Sequence, residues 1–378
     1  MIAYGFSVQG KSHIEKNIPC QDAGRAERLE TGAYMGIVAD GVGSAAYAEI
    51  GSKMAVDSLF TYCNAHISPA MLPSEIEEVL RKGYQYAMDD TEAYAKEKGI
   101  RTDAYDTTLS AVIFDEGTVV YAHAGDGGII VRCKDGQIEA VTSRQKGADG
   151  VSVRPLRAGD SSWESGMKKD VAAVLLLTDG MLDGVVMPML INLPSDWPAT
   201  RQDMKKAQVY VTAAEFFMNP EVVYLNRSIK DPDEYMGYFI DGNLSKKDQD
   251  KFLKYIQMGY ERLLGTKQAA DLCRRIRTYC YMVWAVSNIT DDKSVVCLID
   301  EGAEVIPKTV SYYEEPDWKA LMDNYQTFLY GQTIRKEHTP DTLEKRKKRE
   351  IFSWEKLQKS WKKRFTNKAD RIFFYGKK

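Results

Sequence analysis

Two stretches of this sequence carry acids where chemistry is easiest to build. In Gly36-Ile-Val-Ala-Asp-Gly-Val-Gly-Ser44, a mostly apolar run from Met35 to Ala39 ends on Asp40, with glycines at 41 and 43. Such a run reads as a buried strand whose C-terminal end presents a carboxylate. The glycines let the backbone turn sharply and bring a main-chain carbonyl close to whatever Asp40 binds. Val174-Leu-Leu-Leu-Thr-Asp-Gly180 repeats the design and presents Asp179. Two distant strands that each end in Asp-Gly imply acids converging on a polyvalent cation, and oxygen-only ligands favour Mg²⁺ or Mn²⁺ over zinc.

Other acids stand in related settings. The polar segment Gly10–Asp22, read as a loop, ends in Asp22 and is crowded by Lys11, His13 and Lys16. Cations beside carboxylates suit an anionic substrate such as a phosphate; a solvated loop with an incidental Asp is the plainer alternative. His123-Ala-Gly-Asp-Gly-Gly128 is a tight turn presenting Asp126, or an Asp serving only the turn. Asp291 and Asp292 stand at the mouth of a final strand, Asp291–Ile299.

The elements that position these acids follow from periodicity. A first strand is expected over 2–8 and an amphipathic helix over 46–64, with Val56, Leu59, Phe60 and Cys63 inward. A second helix is expected from Ser74 to about Lys98, opened by a capping box Ser74-Glu-Ile-Glu77, with Ile76, Val79, Leu80 and Ala87 on its inner stripe. Four β-rich runs, 107–114, 118–123, 128–133 and 137–142, read as an antiparallel meander. Residues 143–170 read as polar loop, and helices are expected near 245–264 and 266–285.

Bulk properties narrow the function classes. The net charge of −3 hides an asymmetry: residues 334–378 hold 16 Lys/Arg against 6 Asp/Glu, so the rest of the chain is strongly acidic, as suits a protein that concentrates divalent cations. The longest unbroken apolar run is the eight residues Tyr279–Val286, against about 20 for a membrane span. No signal-like N-terminus is expected. Six cysteines lie scattered without a Cys-x-x-Cys pair, which predicts reduced core residues of a cytoplasmic protein. With only four histidines, a His-rich metal centre is not expected.

In order, Gln-Asp, strand–Asp-Gly-x-Gly, Thr-Thr-Leu, Gly-Asp, strand–Thr-Asp-Gly and Asp-Asp-x-Ser-Val-Val resemble the bacterial branch of the protein phosphatase 2C family, the metal-dependent Ser/Thr phosphatases. The resemblance spans residues 1–300. It implies an α+β fold, a four-layer αββα sandwich of two antiparallel sheets flanked by helices. The catalytic domain would cover 1–305, with an insertion or flap at about 185–260, followed by a basic, aromatic helical extension over 306–378. The resemblance also implies that Asp40 bridges two Mg²⁺ or Mn²⁺ ions, with the Gly41 carbonyl completing one shell. Asp179 and Asp291 would hold the first ion, and Asp22 would act near the second through water. Asp126, with Asp183, would bind the third, looser ion of bacterial members. Lys11, His13 or Lys16 would take over phosphate binding from the family's Arg, since Asn17 stands in its place. Two further departures are Val42, where eukaryotic members carry His, and Gly127–Gly128, where the Gly-Asp motif usually continues to Arg.

The expected activity is hydrolysis of phosphoprotein Ser/Thr phosphomonoesters by a metal-activated water, opposing a Ser/Thr kinase. The alternatives are a pseudophosphatase that binds phosphoproteins or regulators, and a phosphatase of small metabolites. The insertion is expected to fold beside the site as a dispensable gate. In the tail, Ile351, Trp354, Leu357, Trp361 and Phe365 recur at helical spacing among lysines. That pattern fits packing on the chain itself or on a partner protein, an anionic membrane surface, or nucleic acid.

Overall fold

The computed structural model describes residues 1–146, 152–185, 209, 211–219, scattered positions between 245 and 270, 290–306, and 308, 309 and 312. The chain divides into two compact units, the first being Met1–Pro194 with Ala199–Tyr313. The second, Ser195–Pro198 with Glu314–Lys378, lies outside the described residues.

Among the described residues, ten strands form two five-stranded antiparallel sheets. The first has the order β1 (Ile2–Val8), β10 (Lys293–Ile299), β9 (Val171–Leu177), β6 (Gly128–Cys133), β7 (Ile138–Ala140). The second runs β2 (Asp22–Arg28), β3 (Tyr34–Asp40), β4 (Leu109–Asp115), β5 (Thr118–Ala124), β8 (Glu164–Lys168). The alternation of side chains along a strand explains the layering. On β3, Met35, Ile37 and Ala39 face one core with Leu59, Phe60, Leu80 and Tyr84 of the helices. Val38 faces a second core with Val112, Val131, Val174, Leu176, Val296 and Leu298, where the two sheets meet. A strand whose neighbouring residues belong to two different cores has both faces covered, and the expected α+β sandwich of two antiparallel sheets is what the chain forms.

Helices α2 (Ala48–His66) and α3 (Pro73–Lys98) cover the second sheet. Helix α3 buries Ile76, Leu80, Tyr84, Ala87, Thr91 and Ala95, each three or four residues after the last, and each large apolar side chain so buried stabilises by about 1.5–3 kcal/mol. The Tyr84 hydroxyl lies 2.7 Å from the Ala122 carbonyl and 3.0 Å from that of Leu109, so the ring's polar end is satisfied within the sheet. Its N-terminus differs from the expected box. Pro73 opens the helix and Glu75, not Glu77, reaches back to the Leu72 N–H at 2.7 Å, because proline at the first helical position sets the start two residues early.

Three further expectations are corrected. The segment after Gly10 is not all loop, since Lys11–Lys16 forms the short helix α1. The four β-rich runs are not one meander: β5 pairs with β4 and β8, while β6 pairs with β7 and β9. The chain therefore leaves one sheet at Ala124 and enters the other at Gly128, and the turn bearing Asp126 is the step between sheets. Local alternation cannot distinguish a hairpin from such a step. Finally, β8 lies within the stretch 143–170 read as loop, where Leu156, Trp163 and Met167 are the large apolar residues.

Much of the presumed insertion at 185–260 lies outside the described residues, but helix α5 (Val211–Met218) belongs to the core. Phe216 and Phe217 are fully buried, the Tyr4 hydroxyl donates to the Phe217 carbonyl at 2.8 Å, and Glu215 pairs with Arg132 of β6 at 3.0 Å. The expectation of a dispensable gate fails for this part, because α5 covers the outer face of the first sheet together with α4 (Asp179–Val185). The helices expected near 245–264 and 266–285 fall mainly outside the described residues.

Candidate metal centre

Strand register brings the acids to one end of the sandwich. Asp22 opens β2 directly opposite Asp40, the last residue of β3. In the other sheet, Leu177 pairs with both Val295 and Gly128, so Asp179, Asp291 and Asp126 all lie just beyond the same edge. One carboxylate oxygen each from Asp40, Asp126 and Asp179 fall within 4.8 Å of one another. Asp22 and Asp291 are close enough to act electrostatically on Asp40.

Backbone contacts hold this edge together. Asp40 donates its N–H to Thr108 Oγ1 at 2.9 Å, and its carbonyl accepts from Thr107 Oγ1 at 2.9 Å and the Thr108 N–H at 2.8 Å. The paired threonines of the sequence thus clamp the backbone of the central acid. Gly41 lies so close to α2 that a Cβ there would stand 2.5 Å from the Ala48 carbonyl, and a Cβ on Gly180 would strike the Asp292 carbonyl. Both Asp-Gly pairs need glycine for close approach, not for an unusual turn.

Electrostatics mark the cluster as short of positive charge. Asp22 is buried; its Oδ2 accepts from Thr178 Oγ1 at 2.8 Å, while Oδ1 is buried with no hydrogen-bond partner among the described residues. Burial pushes the Asp22 carboxyl up to about 8, against the Thr178 hydrogen bond and with repulsion from Asp292. Asp40 is held well above the usual carboxylate range, by desolvation first and then by Asp22, Asp179, Asp291 and Asp126. Asp291, at the exposed rim, is raised by desolvation and by repulsion from Asp292 and Asp126, against a hydrogen bond from the Asp292 N–H. A buried carboxylate oxygen with nothing to bind, within a convergent all-oxygen donor set, fits a hard divalent cation.

The neighbouring residues have specific duties. Asp292 is buried and accepts from the Gly10 N–H at 2.6 Å and the Gln21 N–H at 2.6 Å, with His13 Nδ1 at 2.8 Å. It ties both ends of the segment 10–21 to the mouth of β10. His13 is thereby engaged with Asp292, Lys11 makes an exposed pair with Glu15 at 3.7 Å, and Lys16 is exposed on α1. Asn17 ends α1 in the left-handed conformation at φ 54°, which asparagine tolerates and arginine does not favour. Asp183 lies on α4, and its side chain is outside the described residues.

Sequence reasoning missed Thr178, Arg144 and Lys146. Arg144 Nε donates to the Asp126 carbonyl at 3.0 Å, and a terminal nitrogen of its guanidinium lies 4.0 Å from Asp179 Oδ2. Lys146 Nζ lies 2.5 Å from Asp126 Oδ2. The basic pair in Ser143-Arg-Gln-Lys146 was a visible signal, hidden in a stretch that looked like solvated loop.

The sequence profile of the family described as Protein phosphatase 2C matches residues 9–215, and no curated protein matches the chain. Among solved structures, the chain is similar to the serine/threonine phosphatase Stp1 from Staphylococcus aureus, with 16% identity and a TM-score of 0.44 over 79% of this chain and 95% of that one. It is similar to the catalytic domain of the serine threonine protein phosphatase PstP in complex with 2 manganese ions, with 14% identity and a TM-score of 0.39 over 78% and 96%. It is also similar to PppA of Pseudomonas aeruginosa, with 15% identity and a TM-score of 0.42 over 78% and 96%.

Proposed function

The chain belongs to the protein phosphatase 2C family, and from that premise we propose that it is a Mg²⁺- or Mn²⁺-dependent phosphatase of phosphoserine and phosphothreonine in proteins, opposing a Ser/Thr kinase in a bacterial cytoplasm. The observation that carries this reading is the convergence of carboxylates from both sheets at one edge: Asp40 and Asp179 lie within 4.8 Å of each other, with Asp126 beside them and Asp22 and Asp291 acting on Asp40. Asp40, the Gly41 carbonyl, Asp179 and Asp291 would hold the cations, with Asp22 supporting them from behind. When bound, such ions lower the pKa of a water and neutralise phosphoryl oxygens. The chain's own residues supply placement. Thr107 and Thr108 hold the Asp40 backbone, Thr178 orients Asp22, and Asp292 fixes the segment that walls the site.

A second reading has an observation in its favour. Asn17 serves a helix end and His13 serves Asp292, so α1 offers only the point charges of Lys11 and Lys16 in place of the family's bidentate phosphate grip. A binding module of low turnover is the reading that follows from this. Hydrolysis of phosphopeptides, with p-nitrophenyl phosphate and phosphorylated metabolites alongside, separates the readings. Phosphopeptide turnover in Mn²⁺ is expected, with Asp40→Ala lowering kcat/KM by about 10²–10³-fold, as for loss of a transition-state charge stabiliser. Phosphopeptide binding without turnover would establish the module instead, and turnover confined to metabolites would move the substrate class. We assign residues 306–378 to an extension whose basic part, 334–378, contacts a partner protein or an anionic surface.

A further inference from the structure

The Asp126 carboxylate already has a cation of the chain's own. Lys146 Nζ stands 2.5 Å from its Oδ2, with the Asp126 side chain 6% exposed and the lysine 27%. The lysine does not reach there from a loose end. Gln145 donates its N–H to the Gly125 carbonyl at 2.8 Å and accepts the Gly125 N–H on Oε1 at 3.2 Å. Its own carbonyl accepts the Arg154 N–H at 3.0 Å, and Lys146 itself bridges to Val153. Arg144, buried, holds the Asp126 carbonyl. The segment 144–146 is thus strapped to the turn that carries Asp126, and the ammonium is delivered to the carboxylate by fixed backbone on both sides.

We propose, resting on the metal-dependent reading above, that Lys146 is a built-in counter-cation that holds Asp126 away from metal ligation, so that the site takes two divalent ions and not three. The local contacts support this count. The acids Asp22, Asp126, Asp179 and Asp291 crowd Asp40, and of these Asp126 is the one with an ammonium at 2.5 Å, while Arg144 stands 4.0 Å from Asp179. A third ion at Asp126 would have to displace a tethered ammonium.

The test counts ions directly on the full chain, by equilibrium dialysis against Mn²⁺ after chelation and by calorimetric titration. Two ions per wild-type chain are expected at saturation, three for Lys146→Met, and two for Lys146→Arg, which keeps the charge. Asp126→Asn reads the same question without removing the lysine and is expected to leave the wild-type count at two. Three ions on the wild type overturn the proposal, as does a count of two for Lys146→Met. Loss of an ion in Asp126→Asn overturns it as well, since Asp126 would then be a ligand. No ion on any variant would instead overturn the metal-dependent reading and this inference with it.

Discussion

Thr178 shows how a residue beside a motif acid decides whether the site can exist without its metal. Its hydroxyl donates to Asp22 and in turn accepts the Ser294 N–H at 3.0 Å, so one side chain links the two sheets behind the acid cluster. Thr178→Val keeps the shape and removes both bonds. We expect a loss of about 1–3 kcal/mol in the chelated protein, the cost of leaving buried polar groups unpaired, read as a lower urea midpoint at unchanged slope. Asp292 acts in the same way on the backbone of 10–21. Its carboxylate has three partners, so Asp292→Ala is expected to destabilise by about 2–3 kcal/mol. Proteolysis within 10–21 should accelerate in the same variant; unchanged cleavage would show that the segment is held by something else.

At the scale of elements, α5 decides what can be cut from this chain. Phe217 is fully buried and its carbonyl receives the Tyr4 hydroxyl, while Glu215 forms a buried pair with Arg132. Phe217→Ala is expected to cost about 3–5 kcal/mol, as for other large-to-small core changes, measured by denaturant unfolding. Deleting 185–260 whole is therefore expected to give an unfolded or aggregated chain, whereas cuts that spare 209–219 keep the sheet covered; a soluble, folded product of the full deletion would refute this. The two sheets themselves come from a device that periodicity hides. The steps at 125–127 and 169–170 carry the chain from sheet to sheet, and both look like ordinary turns locally.

For the whole molecule, the consequence of five gathered carboxylates is that folding and metal binding are linked. Crowded acids raise one another and oppose folding until a cation joins them, so an ion that binds only the folded state adds stability by mass action. Mn²⁺ at a hundred times its dissociation constant is expected to add about 2.7 kcal/mol, seen as a rise in Tm that Asp40→Ala removes. No rise in the wild type at millimolar Mn²⁺ would mean that the acids do not form a cation site. No described helix is long and apolar enough to cross a membrane, and the sequence concentrates its excess of basic residues in 334–378, against an acidic 1–333.

Sequence alone determined the strands that lead into Asp40 and Asp179, the helices 48–66 and 73–98 to within a few residues, and the order of the acidic motifs, whose family resemblance implied the layered α+β class. Those features are written in local spacing: an apolar run, a glycine, a 3.6-residue stripe. Tertiary structure decided the rest. It turned the Asp126 loop into a passage between sheets, drew α5 into the core, gave His13 to Asp292, and set Lys146 against Asp126. Each of these joins residues distant in sequence, or places a turn by what lies across the sandwich. A short polar stretch such as Ser143–Lys146 has no periodicity from which its partners could be read. Its charge becomes meaningful only when folding brings a carboxylate within hydrogen-bonding distance.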